Sequence, residues 1–371
     1  MNEQLLKREE QAVFALRALY ARYGYRPFKM SKFEEYDFYA RNKEFLVSDR
    51  IITFTDTDGR LLALKPDVTL SIARNLRDEE TVDCGCKQKV YYNENVYRVS
   101  GGTRQYKEIL QTGLECMGAL DIYDLFEVVS LAAQSLAAIS GSFLLEVSHL
   151  GILTALLEES DGGEAFCREA TRCVAGKNAH DLRSVCGQYG IPAQQTDKLC
   201  AFVGINGERK RVLAQLESLC GDGEGGARDA MSELRALSEL LDGSPYGERI
   251  LFDFSVVNDM NYYNGIVFKG FLDGICEGVL SGGQYDKLMH RLGKRSGAAG
   301  FALYLDLLED LQPQSREYDV DVLLLYNEKT SPQTLANAVQ ELTAAGKSVS
   351  AQKSTPPKLR SREVVHLEVL S

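Results

Sequence analysis

Near the start of the chain, Ala12, Leu16, Leu19, Tyr20 and Tyr23 recur at helical spacing, and Gly24 follows them. The pattern predicts an amphipathic helix with a glycine stop. From Ile51 to Leu64 the period shortens to β-like runs around "DTDGR", a hairpin-type turn. "LALKPDVTLSIARN" then reads as a strand followed by a helix that Pro66 begins. "KVYYNENVYRV" predicts a strand, in one piece or two, "SGGTRQYKE" a glycine-rich basic hairpin loop, and "ILQTGLECMG" the returning strand. On that strand Gln111 and Glu115 lie four apart and therefore share a face. "DIYDLFEVVSLAAQSLAAIS" opens with aspartate capping chemistry and repeats its apolar positions at Leu125, Val128, Val129, Ala132, Leu136 and Ile139, which predicts a helix. "SFLLEVSHLGILTALLEE" reads as strand into helix.

Between Ser160 and Gly247 the texture turns to Ala, Arg, Glu, Leu and Gly with little β-propensity, interrupted by "GDGEGGARD". That stretch predicts a mainly helical insertion. The interruption has the glycine content of a phosphate loop but lacks its Gly-Lys-Ser/Thr ending, so it reads as a linker. β-rich sequence resumes at Arg249, and in "GAAGFALYLDLLEDL" Gly300 is expected to precede a final core helix. A strand "VDVLLLYN", a proline-started helix and a terminal strand "VVHLEVLS" complete a small unit. The divisions are 1–158, first part of a core; 159–247, helical insertion; 248–315, second part of the core; and 316–371, a small α/β unit. The pattern alone gives a mixed α and β protein.

The chain has 371 residues, 44% of them apolar, enough for two or three domains with buried cores. A net charge of -11 opposes a general nucleic-acid role, since phosphate binding rests on clustered Lys and Arg. The N-terminus lacks a signal-peptide pattern, and no later run of about 18 apolar residues is expected to cross a bilayer, so a cytoplasmic protein without membrane contact is expected. The nine cysteines are scattered apart from "CGC" at Cys84 to Cys86, which reads as a surface turn; reduced thiols and no metal site are expected. His149 reads as structural.

"VYRVSGGTRQYKEILQTGLECMG", "NYYNGIVF" and "LSGGQYDKLMHRLG" with "GFALYLDLLEDL" resemble, in order and spacing, the motif 2 region, the histidine-specific signatures and the motif 3 region of histidyl-tRNA synthetases. The likeness runs from the N-terminal helix to about Leu311, the insertion excepted. It implies an α+β fold of the class II aminoacyl-tRNA synthetase kind, an antiparallel sheet flanked by helices, with the C-terminal unit a truncated remnant of an anticodon-binding domain. Carried over position by position, the resemblance implies that histidine is bound by Asp67 in "LKPDVT", Gln111 and Glu115 in "LQTGLE", Tyr262 and Tyr263 in "NYYNG", and Tyr285 in "SGGQYD". Each tyrosine alone would read as a core residue; their joint occurrence in two signatures is what points to a pocket. Carboxylates suit an ammonium, amide and phenol groups suit an imidazole, and aromatic rings enclose it.

The groups that would activate the amino acid are changed. Adenylate formation puts charge on an α-phosphate that arginines neutralise. Asn258 stands where the histidine signature carries an arginine, Leu307 where motif 3 carries one, and Tyr304 replaces a glycine before it. Motif 2 keeps Arg98, a candidate for a residual phosphate contact, but the Glu two positions later is Ser100. "LKPDVTLSIAR" and "LLEVSHLGILTALLEE" are similar to segments of the regulatory subunits of ATP phosphoribosyltransferase, which are paralogues of the synthetase. That resemblance implies a non-catalytic protein without cofactor or tRNA, a short-form catalytic subunit as partner, L-histidine as effector, and a homodimer within a larger hetero-oligomer. A divergent histidyl-tRNA synthetase and a stand-alone amino-acid-binding protein are the other readings of the same residues.

Overall fold

The computed structural model describes residues 7–46, 51–75, 86–99, 105–221, 225–257, 262–310 and 317–367, in two compact units, Met1–Leu311 and Gln312–Ser371. Cys84, Ser100, Arg104 and Asn258 lie outside the described residues.

Helix α1 (Arg8–Arg22) buries Ala12, Val13, Leu16, Leu19 and Tyr20, and Gly24 turns the chain at a φ of +83°. Tyr23, expected on the same stripe, is 38% exposed, because it lies past the last helical turn and its hydroxyl accepts from Gln134 Nε2 at 3.1 Å. Strand β1 (Arg26–Pro27) leads to a small antiparallel sheet of β2 (Phe33–Glu35), β4 (Leu61–Leu64) and β3 (Thr53–Thr55), with helix α2 (Tyr36–Arg41) after β2. Helix α3 (Val68–Asn75) begins two residues later than Pro66, because Asp67 accepts from the Leu70 amide at 2.8 Å and so caps it. β5 (Gln88–Val99) is one continuous strand, paired antiparallel with β6 (Tyr106–Gly118) from Gln88↔Met117 to Val99↔Tyr106. Tyr106, Lys107 and Glu108, expected in the hairpin loop, are therefore strand residues.

The main sheet has nine strands in the order β1-β5-β6-β12-β11-β10-β7-β9-β8, with β7 (Phe143–His149), β8 (Asn206–Gly207), β9 (Ile250–Asp253), β10 (Ile266–Leu272), β11 (Leu280–Gln284) and β12 (Gly297–Tyr304). β1 with β5 and β7 with β9 pair in parallel, so the sheet expected to be antiparallel is mixed. β12 corrects the expectation of a core helix after Gly300: residues 297–304 are a central strand between β6 and β11, and only a 3-10 turn, Asp306–Asp310, follows. Gly and Ala there are dictated by what the strand faces rather than by helix propensity.

One face of the sheet is covered by α1 and by helix α4 (Ile122–Ile139), which Asp121 caps through the Tyr123 and Asp124 amides. By length and composition alone α4 could cross a membrane, against the sequence expectation; here Val128, Val129, Ala132 and Leu136 are buried in the core. Helix α5 (Leu150–Glu158) follows β7, and α6 (Gly163–Ala175), α7 (Ala179–Gln188), α8 (Ala193–Val203), α9 (Arg209–Cys220) and α10 (Gly226–Asp242) form the helical segment before β9. Their apolar side chains belong to the same core as the sheet; the Phe202 and Phe254 rings lie 4.9 Å apart. Arg209 is buried and donates to the Gly247 and Ile250 carbonyls. His149 accepts from the Gly151 amide through Nδ1 at 3.1 Å and meets Glu233 of α10 through Nε2 at 3.0 Å, a structural role.

Helix α11 (Asp286–Arg291) lies between β11 and β12. In the second unit β13 (Val320–Leu325), helix α12 (Pro332–Ala344), β14 (Val349–Gln352) and β15 (Ser361–His366) make a parallel sheet in the order β14-β13-β15. β14 has no counterpart in the sequence reading.

Candidate functional site

Opposite the helix-covered face, the sheet floors a cavity of about 330 Å³. Strand alternation selects its residues. Glu115 pairs with Gly300, Gly113 with Ala302 and Gln111 with Tyr304 across β6 and β12, and Ser281 of β11 stands beside Ala302. A Cβ at Gly300 would overlap the Glu115 carboxylate, so glycine at that position is what lets a carboxylate lie flat on the floor. Arg98 reaches in from β5, Asp67 and Thr69 from the start of α3, and Phe45 and Leu46 from the segment after α2.

All six residues proposed from the sequence as histidine ligands, Asp67, Gln111, Glu115, Tyr262, Tyr263 and Tyr285, line this one cavity, and so does Arg98. The tyrosines stack as a wall: the Tyr262 ring lies 4.7 Å from Tyr263 and 5.7 Å from Tyr285, and meets Phe45 edge-on at 6.2 Å. Thr69, Ser281, Phe45 and Tyr304 are among the further liners that were not singled out as ligands. Thr69 had a usable signal, since it sits in the first turn of a helix capped by a candidate ligand. Tyr304 was noted only as a replaced glycine.

Glu115 is 1% exposed and its oxygens accept from Tyr285 Oη at 2.5 Å and Thr69 Oγ1 at 2.6 Å. Burial pushes its pKa up to about 8, although both hydrogen bonds pull the other way. At neutral pH Glu115 thus carries a proton that a cationic ligand would displace. Burial also raises Asp67, opposed first by the Arg98 charge, whose Nη2 lies 3.9 Å from Asp67 Oδ2. Tyr262 hydrogen-bonds Thr69 and Tyr263 hydrogen-bonds Ser281; burial holds both phenols, and Tyr285, far above their usual pKa, so all three remain neutral donors. Arg98 Nε donates to the Pro66 carbonyl at 3.1 Å, and the guanidinium also hydrogen-bonds Tyr304.

Leu307 does not line the cavity; it packs against the main core. Among the described residues that line the site, Arg98 is the one cation, facing two carboxylates and four phenols. Among the described residues no group of three or more His, Cys, Asp or Glu is placed to hold a metal ion. The arrangement can bind a small ligand that carries a cationic group, an aromatic or hydrogen-bonding ring, and one anionic group.

A family model described as histidyl-tRNA synthetase matches residues 1–308. An ATP phosphoribosyltransferase regulatory subunit from Bacillus cereus (strain AH187) is 26% identical over 341 residues, which cover 90% of this chain and 80% of that protein. The crystal structure of an ATP phosphoribosyltransferase regulatory subunit/histidyl-tRNA synthetase from Bacillus halodurans superposes with a TM-score of 0.79 at 23% identity, over 97% of this chain and 93% of the other. A chain of the ATP phosphoribosyltransferase complex from Thermotoga maritima has a TM-score of 0.62 at 18% identity, over 80% of this chain and 97% of its own.

Proposed function

The chain belongs to the histidyl-tRNA synthetase family, and on that premise we propose that it is a non-catalytic regulatory subunit of ATP phosphoribosyltransferase, which holds L-histidine and does not activate it. The observation that carries the reading is the scarcity of cations in the cavity: among the described lining residues a single arginine faces two buried carboxyl groups, one of which, Glu115, burial keeps protonated at neutral pH. A triphosphate needs several cationic ligands to offset its charge, whereas a histidine carries an ammonium, an imidazole and a single carboxylate. Asn258 and Leu307 stand at the two positions where the family's arginines would meet the nucleotide. The similarity to proteins named as regulatory subunits supports the same reading.

In this role the chain pairs with a short catalytic subunit, as a homodimer within a larger hetero-oligomer, and histidine bound here lowers the partner's activity. Such coupling is reciprocal: the partner's substrates weaken histidine binding by the factor by which histidine weakens theirs. The test is phosphoribosyl-ATP formation by the short subunit alone, with this chain, and with this chain plus histidine. Activation on mixing and inhibition by histidine are expected, together with an active but histidine-insensitive complex for Glu115→Ala. No activation on mixing refutes the regulatory role. Histidine-dependent ATP–pyrophosphate exchange above a no-enzyme blank refutes the non-catalytic one.

A further inference from the structure

Asn264, Gln284 and Asp286 do not line the cavity, yet each adjoins in sequence one of the tyrosines that wall it. The backbone ladder between β10 and β11 ends at Val267↔Gly283. Past that pair, side chains continue it. Gln284 Oε1 accepts from the Ile266 amide at 2.8 Å, and the Asn264 amide donates to the Gln284 carbonyl at 3.1 Å. Asn264 Nδ2 donates to Asp286 Oδ2 at 3.1 Å, while its Oδ1 accepts from the Lys287 amide at 3.3 Å. Asp286 Oδ1 accepts from the Ala298 amide of β12 at 2.8 Å. Gly265 leaves the room for this, since a Cβ there would overlap the Gln284 amide. A carboxylate only accepts and a backbone N–H only donates, so a side chain that bridges Asp286 to the Lys287 amide needs a donor and an acceptor on one planar group, as asparagine has.

We infer that Asn264 and Asp286 are positioning residues whose hydrogen bond sets the gap between the Tyr262–Tyr263 segment and Tyr285, and through it the fit of the aromatic wall to the ligand. This rests on the histidine reading given above. The hydrogen-bonded chain runs from the segment that carries Tyr262 and Tyr263, through Asn264 and Asp286, to β12. Tyr285 sits inside it, its own amide bonded to the Ala298 carbonyl at 2.9 Å. The Tyr262 ring, 4.7 Å from Tyr263 and 5.7 Å from Tyr285, is thus flanked by rings from the two segments that this bond ties together. Ring contacts depend on offset and tilt, and a binding constellation has to be held to within about 0.5 Å by groups behind it. Here those groups are an amide and a carboxylate that never meet the ligand.

The experiment exchanges the two residues, which have nearly the same shape. Asn264→Asp sets two carboxylates against each other. Asp286→Asn leaves an amide N–H facing another donor, Asn264 Nδ2 or the Ala298 amide. The double exchange restores the bond between them with donor and acceptor reversed, and keeps the bonds from the Lys287 and Ala298 amides. Calorimetric titration of the full chain with histidine should show affinity lowered roughly tenfold by either single exchange and returned to within about threefold of wild type by the pair. The chain has no tryptophan, so tyrosines dominate its near-ultraviolet circular dichroism; the ligand-free spectrum should change in each single variant and return in the double one. Asp286→Asn carries the test should Asn264→Asp fail to fold. Single variants that bind as wild type does, or a double variant no better than the singles, overturn the assignment while histidine binding by wild type stands. If wild type binds no histidine, the histidine reading falls and the spectra decide the wall: spectra left unchanged by both single exchanges overturn it.

Discussion

Two buried glutamates lie on opposite faces of the same pair of strands, and their partners differ. Below the sheet, Glu127 of α4 is 4% exposed and is met by Lys89 Nζ at 2.6 Å and Tyr25 Oη at 3.1 Å; its neighbour Asp124 is met by Lys87 at 2.6 Å. Above it, Glu115 stands one position from Cys116, the residue opposite Lys89, and among the described residues accepts from the neutral Thr69 and Tyr285 hydroxyls. A buried carboxylate with its cation built in belongs to the scaffold. One supplied with hydroxyl donors and, among the described residues, no cation is held protonated at neutral pH by its burial, and on the histidine reading proposed above the ligand supplies the charge that draws the proton off.

The largest effect expected of breaking this contrast is on the scaffold side. Lys89→Met leaves Glu127 buried and uncompensated and should cost about 3 kcal/mol in urea unfolding, with histidine affinity unchanged. Glu115→Ala should do the reverse, weakening histidine binding by ~2 to 3 kcal/mol in a calorimetric titration while the fold holds. Equal losses of stability and affinity in both variants would erase the distinction.

The pH dependence sharpens it. Folded Glu115 keeps its proton to about 8 against an ordinary value of 4.5, so across that window the native chain binds more protons than the unfolded one. Stability of the ligand-free protein should therefore fall as pH rises from 4.5 through 8, and Glu115→Gln should remove that part of the slope, a difference of about 2 kcal/mol between pH 6 and pH 8 in paired melts. Histidine binding near pH 7 should release a proton, read as a dependence of the binding enthalpy on buffer ionisation. Smallest is Tyr262→Phe, which removes only the hydroxyl shared with Thr69 and should cost histidine about 1 kcal/mol.

Much of the site was readable because alternation is a local property: four residues apart on a strand puts Gln111 and Glu115 on one face whatever lies around them. The family likeness then supplied the tyrosines. What the chain could not disclose was partnership. Gly300 in "GAAGFALYLDLL" looks like the approach to a helix until Glu115 is seen beneath it, and Tyr23 looks like core until α1 is seen to end before it. Thr69, Ser281 and Tyr304 became legible only when α3, β11 and β12 were brought to one cavity. β14 was missed because its four residues, "VSAQ", carry no alternation strong enough to call.

The parallel pairing of β7 with β9 also bears on how the chain acquires its shape. Residues 150–249 separate two strands that lie side by side, so the sheet cannot be completed while that stretch is open coil. The cost of closing so long a loop grows slowly with length but delays any contact that depends on it. If α5 to α10 collapse first, Arg209 already holds the Gly247 and Ile250 carbonyls and delivers β9 to its place beside β7. The helical segment would then act as an internal clamp that shortens the search. Arg209→Met should slow refolding more than it lowers the final yield of ligand-competent protein.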